Sequence, residues 1–192
     1  MYTKVFSFFA VLFAVSFWLN SEAAELNRDI PKARWEPIFF VPINHLTAKA
    51  GWKPLRETSL PSESLEVRIW IGFGLSPLEG YLFRRDGSHW TGRYVKDNAP
   101  STNSVPVHEI APSCGWEKLW SKLDALGLLR LPDSSTLPGE VMILDGVCYV
   151  VEINQDGRYR TYEYSNPKEQ KWPEAKKIIG IAQVLHDEFN KK

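Results

Sequence analysis

The 192-residue chain has only two cysteines and four histidines, and it has no excess of either charge. Two cysteines cannot build a heavily cross-linked scaffold, and a single domain of roughly 170 residues can bury a core without one. His45, His89, His108 and His186 are not spaced as a metal pair on one helix or strand, so no metal site is expected. Lys plus Arg and Asp plus Glu each number 23, a formal net charge of zero. Nucleic-acid binders gain most of their affinity by neutralising phosphates, so this balance argues against nucleic acid as a partner. Gly-x-Ser-x-Gly and Ser-x-x-Lys are missing from any strand-turn-helix setting that would arm a serine. Gly72-Phe73-Gly74 lacks the third glycine and the following helix of a dinucleotide fingerprint, and is read as a bulge or tight bend. No cofactor is expected.

The long apolar run is N-terminal. Lys4 precedes it, Val5 to Leu19 are apolar apart from small polar residues, and Ser21-Glu22-Ala23 offers small residues for cleavage. The run is shorter than the roughly 20 residues that span a bilayer, so residues 1–23 are expected to be a secretory signal peptide. No cysteine lies at the cleavage point, so no stable membrane anchor is expected. Export to the periplasm is the preferred compartment, with secretion as the alternative. Export would place Cys114 and Cys148 where disulfides persist, and their pairing would contribute roughly 3 to 4 kcal/mol on the chain-entropy view. The competing reading makes Cys114 a nucleophile at a helix start, served by His108 six residues upstream.

Residues 24–64 are broken by Pro31, Pro37, Pro42, Pro54 and Pro61, and are expected to be an irregular arm. Trp35, Phe39, Phe40 and Trp52 predict that the arm packs on the domain formed by residues 65–192. Leu65, Val67, Ile69, Ile71 and Phe73 alternate with Glu66, Arg68 and Trp70, the period of a half-buried strand. Asp86-Gly87 and Asp156-Gly157 each sit between strand-like runs and predict two hairpins. Trp116, Leu119, Trp120, Leu123 and Leu126 predict one amphipathic helix, capped by Ser113. Ala175, Ile178, Ile179, Ala182, Leu185 and Phe189 predict a second, opened by Pro173. The expected fold is α+β, an antiparallel sheet of about five strands with two helices on one face. Hairpin then helix occurs at residues 79–129 and again at 147–190, which hints at a duplicated unit.

Along Arg158 to Tyr164, alternation puts Arg158, Arg160, Tyr162 and Tyr164 on one face. Turned outward, and extended by Trp70, that face would present the residue types enriched at binding hot spots; turned inward, it would be a ladder of rings and arginine stems. Asp145, Glu152 and Glu163 are the carboxylates available to a paired-carboxylate hydrolase, or else solvated strand charges paired with Arg158 or Arg160. Trp116, Trp120 and Phe73 would line a small-molecule pocket, or simply core. The leading expectation is a small exported protein that binds another protein as an inhibitor, immunity-type protector or envelope adaptor. The alternative is an exported hydrolase of cell-wall polymer or peptide.

Overall fold

A computed structural model describes residues 27–31, 35–74, 76–98, 102–141 and 146–189. The expected signal peptide and Asp145 lie outside these residues. The fold is α+β, built on a mixed sheet of seven strands rather than about five antiparallel ones. The strands are β1 (Asn27–Asp29), β2 (Ser64–Gly72), β3 (Glu79–Asp86), β4 (His89–Lys96), β5 (Val107–Glu109), β6 (Cys148–Gln155) and β7 (Arg158–Ser165), in the spatial order β1-β7-β6-β2-β3-β4-β5. Only β1 is parallel to its neighbour, pairing Asn27 with Arg158 and Asp29 with Arg160. Sequence reasoning missed β1 and β5 because three residues carry no readable period.

The two hairpins form at the expected places by different turns. Asp156 and Gly157 both take positive φ between Gln155 and Arg158, the pattern of a type I′ turn. In the first hairpin the loop is Gly87-Ser88, shifted by one from Asp86-Gly87, with positive φ at Gly87 alone. That is the type II′ pattern, which wants Gly at its first central position. Asp86 stays in the strand, opposite Ser64 and His89, where its carboxylate grips Arg84.

Two helices cover one face. α2 (Trp116–Ala125) and α3 (Pro173–Phe189) lay Leu119, Leu123, Ala175, Ile178, Ile181 and Leu185 on Val67, Ile69, Phe83, Val151, Ile153 and Tyr162. Ile181 takes the central place expected for Ile179 and Ala182, one residue round the helix. Ser113 does not cap α2: Gly115 occupies that position, and the Ser113 hydroxyl donates instead to Glu188 of α3 at 2.8 Å. The same carboxylate accepts from the Cys114 N–H at 3.3 Å and from Lys122 at 2.7 Å, so α3 supplies the anion for the start of α2. These donors, led by Lys122, hold the Glu188 carboxyl down at about 2.

The other face is covered as well, which the alternation of β2 did not reveal. Trp35, a π-helical turn (Glu36–Phe40) and α1 (Val41–Lys49) bring Phe39, Phe40, Ile43 and Leu46 onto Trp70, Leu82, Val95 and Val150. The arm is helical here because Pro42 sits in the first turn of α1, where its missing N–H has no partner to lose. Trp70 lies across Gly80, directly opposite on β3, and any Cβ there would collide with its ring. β2 is therefore buried on both faces, and Glu66, Arg68 and Trp70 are under cover rather than in solvent.

The outer side of β7 is satisfied in two parts. β1 pairs with the first half of β7; beyond it, the Asp133 carboxylate accepts the Glu163 N–H at 3.0 Å and stands in for a further strand. The hairpin-helix pattern is a recurrence of elements and not a duplicated unit. β3 and β6 flank β2, both antiparallel to it, with β4 and β7 outside them. Rotating one hairpin onto the other would carry its helix to the opposite face, whereas α2 and α3 share one core.

Candidate functional site

On the arm side the aromatic cover is partial. It shields Trp70, Leu82 and Val150, and beyond it the floor of the sheet becomes charged. Two rows cross the strands in register: Arg68, Leu82 and Arg93 on β2, β3 and β4, and next to it Glu66, Arg84 and Thr91. The loop after α1 forms the opposing wall with Gly51, Trp52, Lys53 and Thr58. Floor and wall enclose an open cleft of about 480 Å³.

The floor is held rigid by its own ion pairs. Arg68 is 4% exposed, contacts Glu66 at 2.7 Å and donates to the Lys53 carbonyl at 2.9 Å, tying floor to wall. Arg84 makes a two-point contact with Asp86 at 2.8 and 3.1 Å and reaches Glu66 at 3.7 Å. Such forked pairs fix orientation as well as charge. The hydrogen bond from Arg84 holds the Asp86 carboxyl below the usual range, and Asp86 in turn raises the guanidinium. Arg93 and Lys53 are cations of the same cleft with no carboxylate within salt-bridge distance among the described residues.

The residues singled out from sequence fall elsewhere. The arginine-containing face of β7 points inward, so Arg158, Arg160, Tyr162 and Tyr164 do not make an exposed recognition strip. Tyr162 and Tyr164 are fully buried and donate to the Leu128 and Pro132 carbonyls at 2.7 and 2.8 Å. Arg160 donates to the Leu129 and Leu131 carbonyls at 2.5 and 2.7 Å, serving the loop after α2. Arg158 is exposed at the hairpin end and lines, with Arg160, Asp29 and Asp156, an open hollow of about 680 Å³. Trp70 is fully buried and cannot extend any surface. Trp116 and Trp120 pack on Trp90 at 5.8 and 4.9 Å between centroids, as core of the helix side. Phe73 meets Phe39 of the arm edge-on.

Cys114 and Cys148 are free thiols, not a disulfide. Cys114 packs on the helix side and Cys148 on the arm side, so the sheet lies between them and pairing would require the backbone to move. Burial pushes the Cys148 thiol up. Nor does His108 serve Cys114: it stands on exposed β5 beside the Tyr94 ring, while Lys122 is the side chain that approaches the Cys114 sulfur, at 3.9 Å. The carboxylates of the second hairpin are not solvated partners of Arg158 or Arg160. Glu152 is 0% exposed and accepts from Trp70 Nε1 at 2.7 Å and the Tyr159 hydroxyl at 2.8 Å. Glu163 accepts from Ser134 and Ser165, and burial raises its carboxyl above the ordinary range. The two carboxylates are engaged in separate networks.

No known protein family and no curated protein matches the chain. In the arm-side cleft, charge, concavity and access coincide, and its cations outnumber its carboxylates. A signal for it existed in the sequence. Laying the first hairpin beside β2 in register sets Arg84 beside Glu66 and puts Arg93 in line with Arg68 across Leu82, a concentration of guanidinium groups that β2 alone does not display.

Proposed function

We propose that this is an exported binding protein, destined for the periplasm or secreted, that holds another protein in the arm-side cleft, as an inhibitor, immunity-type protector or envelope adaptor does. The observation that carries this reading is the cleft itself: an open, charged concavity in which Arg68 and Arg84 are already oriented by internal pairs before any ligand arrives. Preorganised side chains lose little freedom on association, and arginine and tryptophan are enriched where binding energy concentrates. Hydrolysis has less support, since Cys114 lies outside the cleft and has no histidine at hand.

The test is cross-linking in the producing cell. A photoreactive side chain placed at Thr91, on the exposed lip of the cleft, is expected to yield a covalent adduct with another protein, and the same probe at Lys177, on the exposed side of α3, is expected to yield none. Thr91 giving no adduct, in a protein made and exported at the normal level, would overturn the reading. Fractionation of the same cells checks export.

A further inference from the structure

We infer that the cleft selects an acidic peptide segment, with Arg93 and Lys53 receiving its carboxylates; this rests on the reading of the cleft as a protein-docking site. Four cations line it, Lys53, Arg68, Arg84 and Arg93, against two carboxylates, Glu66 and Asp86. The two carboxylates are consumed by Arg68 and Arg84. The surplus falls on Arg93 and Lys53, in a chain whose formal net charge is zero, so the positive field is local to this cleft.

The spacing of that surplus favours a peptide over a compact anion. Lys53 is tied through its carbonyl to Arg68 on β2, whereas Arg93 stands on β4, two strands away across Leu82. Adjacent strands lie about 4.8 Å apart, so the backbones of Arg68 and Arg93 are roughly 10 Å apart, with Lys53 on the opposing wall. A compact anion offers one centre of charge to cations carried by separate elements. Carboxylates two or three residues apart on an extended segment offer one to each, because each residue advances the chain about 3.3 Å. Glu66 and Asp86 in the floor oppose a continuous polyanion, and each would face a phosphate of a nucleic-acid strand at a cost in repulsion. Half-buried Trp52 and the Leu82 side chain offer apolar area to the methylenes of glutamate, and exposed Thr91 offers a hydroxyl to the peptide backbone.

The experiment titrates the full mature chain with an acetylated, amidated hexaglutamate peptide, following tryptophan fluorescence and heat, beside hexaglutamine and a single-stranded oligodeoxynucleotide. Hexaglutamate is expected to bind, to weaken with added salt, and to be preferred over both controls. Arg93→Ala is expected to weaken it about three- to tenfold and Arg93→Glu to abolish it. Arg158→Glu, an equally exposed change outside the cleft, is expected to leave it unaltered. Equal binding of hexaglutamine, tighter binding of the oligonucleotide, or indifference to Arg93→Glu would overturn the inference. A cross-link from Thr91 without hexaglutamate binding would sink the acidic preference and leave protein docking standing. Hexaglutamate binding without a cross-link would keep the carboxylate site and remove protein docking.

Discussion

The two faces of the sheet receive their covers in different ways. The helix face is closed by α2 and α3 over rings and branched chains, and the polar tips among them, the Tyr162 and Tyr164 hydroxyls and the Arg160 guanidinium, reach the carbonyls of neighbouring loops. The arm face is closed by aromatic side chains over only part of its area, and beneath and beside them lie whole charged groups, Glu152, Glu66, Arg68 and Arg84. A face of rings and branched chains is satisfied by burial alone. Charged groups must each be given a partner, because an unpaired buried charge is far more costly than an unpaired hydroxyl. The arm face meets this requirement with Trp70 and Tyr159 around Glu152 and with the Arg68 and Arg84 pairs, and the residue of that pairing is a cleft with cations to spare.

The sharpest way to break this comparison is to cut one anchor on each face. Trp70→Ala removes a fully buried ring, deletes a donor to Glu152 and takes away part of the surface on which the arm packs. It is expected to cost about 3–5 kcal/mol in urea unfolding. Tyr162→Phe on the helix face keeps the ring and loses only the bond to the Leu128 carbonyl, an expected cost of about 1 kcal/mol. Equal losses would show that the arm is a loose cover and that the two faces do not differ as described.

Acid sharpens the comparison on the helix side. The Glu188 carboxyl is depressed to about 2, so its contribution is fully present above the ordinary carboxylate value of 4.5 and is lost as pH falls from there through about 2. Glu188→Gln is expected to lower the melting temperature at neutral pH and to flatten the decline between pH 4.5 and 2 relative to the parent protein. Parallel melting curves for the two proteins across that range would remove Glu188 as the tie between α3 and α2. The smallest effect is expected in the cleft. Arg93→Ala, exposed and unpaired, should change unfolding free energy by less than about 0.5 kcal/mol while reducing acidic-peptide binding, which separates a residue kept for contact from one kept for stability.

The same contrast explains what could be read in advance. Periods of two and 3.6 over eight residues or more located β2, both hairpins, α2 and α3, because on the helix face burial and hydrophobicity coincide. On the arm face they part. Glu66 and Arg68 carry charges, so alternation placed them in solvent, and only the chain's return over them buries them. Pro42 read as a breaker although it opens α1. Tyr162 and Tyr164 read as recognition residues because a hydroxyl can serve a partner or a nearby carbonyl, and a single strand does not show which lies above it. The cleft needs three strands and a loop at once. It emerges from register across β2, β3 and β4, which no single window of sequence contains.

The parallel strand at the sheet's edge also sets an order of events. β1 lies near the beginning of the chain, yet its neighbour among the described residues is β7, the last of the described strands to be made, and central β2 meets β6 across a shorter but still long stretch of sequence. Contacts so distant along the chain form late, after the large entropic cost of closing the intervening loop has been met. The hairpins and helices can assemble as each is synthesised, but the sheet cannot close until nearly the whole polypeptide is available. A chain built this way stays unfinished through most of its synthesis, the state in which a polypeptide can still be threaded through a narrow passage.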